Sequence, residues 1–178
     1  MRYSPHQQYG YSLVELIVCT AITGILLGLA LPSLERIRLR QRLEATAEVL
    51  MTDLQEARSQ AVSRADTVQV RFSRHPNGSC YVLYTGANGE CQCEAGGQAT
   101  CTNTDRVLKL AWIPSYQKIE VRSNVANMSF QARQGAVTST GSIDINASSG
   151  ETIRHIVSVA GRIRSCTPSS NMGQYPRC

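Results

Sequence analysis

The sequence predicts an α+β protein in which one long N-terminal helix packs on a small, antiparallel, β-sandwich-like head. Three observations predict it. Residues 16–34 read LIVCTAITGILLGLALPSL, nineteen positions without a charge. From Leu43 onward an apolar stripe recurs every three or four residues, and after Asp66 the pattern changes to short alternating runs broken by turn residues. A chain of 178 residues holds one modest core, or one domain with an appendage, and excludes a large multidomain enzyme.

The charge-free run comes first. A helix needs about 20 apolar residues to cross a bilayer, which places a membrane segment at about 13–34. Ahead of it MRYSPHQQYG carries one arginine, Arg2, and ends in Gly10. No small-x-small cleavage site interrupts the apolar segment, so an ordinary secretory signal is a poor fit and a plain signal anchor is the simple alternative. Glu15 sits at the rim of this run, where an unpaired carboxylate is costly and calls for a partner. A cut after Gly10 would supply one in the new amino group of Tyr11. Gly24 and Gly28, four apart, suit either close helix contact or an ordinary membrane helix. Pro32 predicts a bend or short melt.

The stripe Leu43, Ala47, Leu50, Met51, Leu54, Ala57, Ala61 and Val62 predicts a helix ending near Ser63 or Arg64, its apolar face covered by a sheet or a second helix. Arg38, Arg42, Glu48, Asp53 and Glu56 fall on the opposite side, as a solvated face or contacts with other chains. If helical throughout, Tyr11 to Arg64 would extend about 80 Å. The chain thus divides into a leader, 1–10, a helix, 11–64, and a β-rich head, 65–178.

In the head, strands are expected at Thr67–Ser73, Cys80–Tyr84, Val107–Trp112, Lys118–Arg122, Met128–Arg133, Ser142–Asn146 and Ile153–Arg164, the last broken near Gly161. Pro76-Asn77-Gly78, Asn88-Gly89, Gly135, Gly141 and Gly150 mark turns. Residues 86–104, GANGECQCEAGGQATCTNT, read as a polar insertion that buries little and is held by disulfides. Of the seven cysteines, Cys19 lies in the apolar run as a small apolar side chain. Cys80, Cys91, Cys93, Cys101, Cys166 and Cys178 remain, with fifteen possible pairings. We expect Cys166 with Cys178, closing a loop that pins the tail, and the other four among themselves. The one-residue spacing of Cys91 and Cys93, with no nearby histidine, matches structural zinc poorly. Oxidised cysteines place the head in an oxidising compartment.

No nucleophile, metal or phosphate motif surrounds His75, His155, Ser158 or Ser165, so neither catalysis nor a cofactor is called for; His155 reads as a surface or edge residue. Lysine and arginine number 18 against 13 acids, and 16 of the 18 are arginine, a mild bias toward anionic partners. The bias concentrates at the end: Arg154, Arg162, Arg164 and Arg177 with no acid from Thr152 to Cys178. Arg162 and Arg164 alternate around Ile163, so a strand would put both guanidinium groups on one face, and Gly161 permits a tight turn. Two readings stand: a solvated edge with charges that deter aggregation, or a pair suited to phosphate oxygens.

The string GYSLVELIVCTAITGILLGLALP resembles the N-terminus of type IV pilins and pseudopilins, with Tyr11 where phenylalanine is usual. The resemblance implies the type IV pilin fold, cleavage after Gly10 by prepilin peptidase with methylation of Tyr11, and Glu15 as the carboxylate that promotes filament assembly with other major and minor pilins. It also implies an inner-membrane protein with a periplasmic head that later reaches the pilus. LQEARSQAVSRADTVQV, MSFQARQGAVTSTGSIDI and ETIRHIVSVAGRIRSC look like the GspH/FimT group of minor pilins. Its FimT-like branch carries Gly-Arg-x-Arg near the C-terminus in a DNA-binding surface, matched here by Gly161, Arg162, Ile163 and Arg164. The resemblance implies double-stranded DNA as a partner in natural transformation. Beyond the matched motif, we expect the Cys166–Cys178 bridge to bring Arg177 near, with Arg154 and Arg133 as second-rank candidates on neighbouring strands. The alternative is a structural minor pilin or type II secretion pseudopilin that never meets nucleic acid.

Overall fold

The computed structural model describes residues 10–102, 106–168, 172 and 174–178, with backbone alone at 29–32; residues 1–9 of the expected leader lie outside the described residues. Helix α1 runs Leu13–Ser63, so it ends where the stripe predicts. It is unbroken at Pro32, and the melt expected there does not occur. A proline removes one N–H from a ladder that the remaining turns sustain. The chain forms two units, Met1–Arg38 and Leu39–Cys178.

In the first unit the apolar side chains of α1 face outward, and an 18-residue window reaches a mean hydropathy of 2.3. By length and composition the helix is able to cross a membrane.

The second unit holds the core. Leu43, Ala47, Leu50, Leu54, Ala57 and Ala61 are all fully buried, a four-three-four spacing that keeps one face inward. Burying each leucine contributes about 1.5–3 kcal/mol. Two antiparallel sheets meet this face. The first has strand order β5-β2-β1-β7, formed by β1 (Val68–His75), β2 (Gly78–Thr85), β5 (Val107–Pro114) and β7 (Asn127–Phe130). The second has order β10-β9-β8-β6, from β6 (Ile119–Ser123), β8 (Gly141–Ala147), β9 (Thr152–Val157) and β10 (Ile163–Cys166). Inward residues alternate as the pleat requires: Ile143 and Ile145 on β8, Ile153 and Val157 on β9.

Polar bonds tie α1 to both sheets. Asp53, 1% exposed, accepts hydrogen bonds from Tyr81 Oη at 2.6 Å and from the Lys109 ammonium. Its expected place on the solvated side is therefore wrong. A carboxylate enters the core border because two donors meet it there. His155 also departs from the edge position expected of it. It is 1% exposed, its Nε2 donates to the Ala47 carbonyl at 2.9 Å, and its Nδ1 lies 2.9 Å from Ser165 Oγ.

The Cys-rich segment is not an idle insertion. It folds as a hairpin, β3 (Cys91–Glu94) with β4 (Gln98–Cys101), and buries Cys91 against Val82 and Tyr84. Tyr81 and Leu83 of β2 face the main core, so the hairpin covers the opposite face of that strand. Disulfides join Cys80 to Cys93, Cys91 to Cys101, and Cys166 to Cys178.

Candidate functional site

At the N-terminus, Ser12 caps α1. Its Oγ accepts from the Glu15 amide at 3.3 Å and its carbonyl accepts from the Leu16 amide at 3.2 Å. Ser12 and Glu15 have the spacing of a capping box, and the carboxylate stands in the first turn, where the helix dipole favours negative charge. Gly10, Tyr11 and Glu15 are all exposed. Among the described residues the Glu15 side chain has no partner.

The C-terminal arginines occupy a different setting, built by two glycine turns. Strand β9 ends at Val157, and the chain reverses before β10 through Gly161, whose φ is +69°. The reversal is held by Gly161 N–H to the Ser158 carbonyl at 2.8 Å and by Arg162 N–H to Ser158 Oγ at 3.2 Å. A second turn, ending at Gly135 with φ +61°, caps the end of α1 through Arg133 N–H to the Ala61 carbonyl at 3.2 Å. The two turns touch. A Cβ on Gly161 would collide with the Gly135 carbonyl oxygen and lie 3.0 Å from Arg58 Nε, and one on Gly135 would lie 3.0 Å from Arg58 Cγ. Positive φ and close approach both require glycine here.

Between α1 and this reversal lies an open groove of about 690 Å³, lined by Gln55, Arg58, Ser59, Val62, Ser63 and residues 161–164. Three arginines and no acid line it. Arg162 and Arg164 are exposed, and Ile163 between them packs on the core. Arg162 precedes β10 rather than belonging to it, so the turn and the strand together aim the pair. Val62, expected in the buried stripe, is instead 44% exposed and forms part of the apolar floor.

The other sequence candidates separate. Arg154 is committed to Asp144, with Nε at 2.6 Å and Nη2 at 2.8 Å from the two carboxylate oxygens. That bond raises its pKa, against a smaller opposing effect of burial. Arg154 thus differs from Arg162 and Arg164, since a bidentate carboxylate already meets its charge. Arg133 lies in a positive-φ turn, not on a strand, and outside the groove lining. Arg177 is exposed, and its backbone bridges to Thr167 beside the Cys166–Cys178 disulfide; it too is outside the groove lining. Among the described residues Arg58, Arg133, Arg162, Arg164 and Arg177 have no carboxylate partner.

Sequence reasoning missed Arg58. Its Nε is buried and has no hydrogen-bond partner, a condition that costs about 1–3 kcal/mol or more for a charged group. The only linear signal is its place beside the buried stripe, one residue after Ala57 and three before Ala61.

A helix whose first part exposes apolar residues, set ahead of two antiparallel sheets that bury its second part, defines the type IV pilin fold. The family described as type II transport protein GspH matches residues 46–161, and the prokaryotic N-terminal methylation motif matches residues 5–31. The chain belongs to the GspH family of minor pilins and pseudopilins, and membership implies assembly with other pilins in a filament. Its structure is similar to that of the type IV minor pilin FimU of Pseudomonas aeruginosa in two crystal forms. In space group P21 the TM-score is 0.54 at 20% identity, covering 74% of this chain and 96% of FimU. In P65 the values are 0.53, 19%, 71% and 98%. The minor pseudopilin EpsH of Vibrio cholerae aligns at a TM-score of 0.49 and 12% identity, over 71% of this chain and 98% of EpsH. No curated protein matches the sequence.

Proposed function

We propose that the protein is a minor type IV pilin that holds double-stranded DNA by its phosphates, without sequence preference, for uptake in natural transformation. Prepilin peptidase cuts after Gly10 and frees Tyr11, and Glu15 guides the subunit from the inner membrane into the filament. The periplasmic head then travels with the pilus, and retraction draws bound DNA toward the cell. The observation that carries the DNA reading is the convergence of unpaired Arg162 and Arg164 on a groove without a single acidic residue. Guanidinium forks suit phosphate oxygens, and phosphate contacts position a duplex without reading bases. Arg177, exposed at the pinned tail, extends the positive surface.

The test is duplex binding by the full chain in non-ionic detergent micelles at two salt concentrations, beside Arg162→Ala/Arg164→Ala. Three phosphate contacts predict about a 40-fold loss of affinity between about 50 and 200 mM salt, and the double variant should lose most of that slope. Unchanged affinity in the double variant would remove these arginines from the role. The type II transport description of the family favours one rival, a subunit that primes assembly without nucleic acid. A deletion strain separates them: loss of transformation with pili intact supports DNA uptake, and loss of pili or secretion supports the rival.

A further inference from the structure

The groove holds one arginine that lies outside the Gly-Arg-x-Arg motif. Arg58 comes from α1, about 100 residues before the Gly-Arg-x-Arg segment, and enters between the Gly135 and Gly161 turns. Its stem lies so close to both that any side chain at either position would press on it. Its Nε is sealed from solvent and unpaired, as are Gln60 Oε1 and Asn127 Oδ1, whereas the buried ionisable groups Asp53 and His155 among the described residues have partners: Asp53 with Tyr81 and Lys109, His155 with Ala47 and Ser165. A buried N–H donor without an acceptor calls for an explanation. Arg58 shares the groove with Arg162, Arg164, Ser59 and Ser63, all capable donors, and with the apolar Val62 and Ile163. A phosphodiester matches this set, with its anionic oxygens toward the three guanidinium groups and its sugar on the apolar floor.

We propose that Arg58 is the inner phosphate ligand of the groove, gripping a phosphodiester from the helix side while Arg162 and Arg164 grip it from the β9–β10 reversal. Gly135 and Gly161 stay without side chains so that the Arg58 stem can pass. This rests on the DNA reading for its biological ligand, but the oxyanion site is testable without DNA.

Two measurements on the full chain in non-ionic detergent micelles decide it. In the unmodified protein, inorganic pyrophosphate is titrated while the arginine Nε–Hε resonances are followed by NMR; the Arg58 signal should shift along with those of Arg162 and Arg164. In the second, duplex affinity and its salt slope are compared for Arg58→Met, which keeps an aliphatic stem between the glycines, and for Arg122→Met. The latter removes the same charge from β6, at the opposite edge of the second sheet from β10. Arg58→Met should weaken binding about 3- to 10-fold and lower the slope measurably, by at most about 0.9, the value of one whole phosphate contact; Arg122→Met should leave the slope unchanged. An Arg58 signal that stays still while Arg162 and Arg164 move overturns the proposal, as does an Arg58→Met slope equal to that of Arg122→Met. If the protein binds no duplex yet pyrophosphate moves all three signals, the oxyanion site stands and the DNA reading falls.

Discussion

The two parts of helix α1 obey the same helical geometry but face different surroundings. Ile25 and Leu26 are 65% and 62% exposed, whereas Leu43, Leu50 and Leu54 are completely buried. The second part finds its cover within the chain, in two sheets; the first is exposed among the described residues, as a segment made to meet lipid or neighbouring pilins would be. The carboxylates follow the same division. Asp53 receives Tyr81 and Lys109, whereas the exposed Glu15 side chain has no partner among the described residues. Stability of the head and assembly of the filament should therefore respond to separate substitutions.

The sharpest way to break this comparison is a pair of leucine truncations. Leu54→Ala should lower the unfolding free energy of the head by about 2–5 kcal/mol, since it removes buried methyl groups and leaves a cavity. Leu26→Ala should change it by less than about 0.5 kcal/mol, as expected of an exposed site. Urea unfolding of the chain in non-ionic detergent, followed by tyrosine and tryptophan fluorescence, measures both. Equal losses would mean that the first part of α1 belongs to the folded core after all.

A smaller effect separates the two carboxylates. Burial first, and then its bond to Asp53, raise the Tyr81 pKa, so the phenol stays protonated and donates at any physiological pH. Tyr81→Phe should cost about 1–3 kcal/mol, the value of a hydrogen bond to a charged acceptor. Glu15→Gln should leave the unfolding curve unmoved and deplete the protein from the sheared filament fraction. A filament defect in Tyr81→Phe at wild-type stability, or a stability loss in Glu15→Gln, would contradict the division.

Much of this organisation is legible in the linear chain because it depends on period. The three-to-four spacing from Leu43 and the alternation in SIDIN and TIRHIV place the end of α1, β8 and the start of β9 within a residue or two, although β9 ends at Val157, ahead of the break expected near Gly161. What depends on contacts between distant segments is not legible. Asp53 looks solvent-facing until Tyr81 and Lys109, 28 and 56 residues away, come to it. The Cys-rich segment looks unburiable until its disulfide to Cys80 lays it on β2. In the groove the Arg-x-Arg pair is visible as a local motif, but Arg154 cannot be set apart from it before Asp144 is seen beside it. Arg58 cannot be added before Gly135 and Gly161 close around it.

The smallest expected effect tests how tightly the second part of α1 is bound to the head. His155 sits on β9 beneath the helix, and among the described residues the titratable side chain acting on it is Glu48 of α1, which also accepts from Tyr175 Oη at 3.2 Å. Burial holds the His155 pKa below its ordinary 6.5, and the Ala47 carbonyl and Glu48 offset this only in part. The imidazole is thus neutral in the folded head, with Nε2–H donating to Ala47 and Nδ1 accepting from Ser165. The unfolded chain takes up a proton near pH 6.5, while the folded head resists it until lower pH. Stability from this site is therefore complete above pH 6.5 and declines as pH falls toward the depressed folded value, with a slope of at most about 1.4 kcal/mol per pH unit. His155→Gln retains a donor but cannot titrate, so the stability difference between wild type and variant should shrink as pH drops from about 7.5 to 5. Subtracting the two curves cancels the carboxylates, which titrate in both proteins. A difference that stays constant across that range would mean that His155 is protonated in the folded head, with water or an acid reaching it under α1.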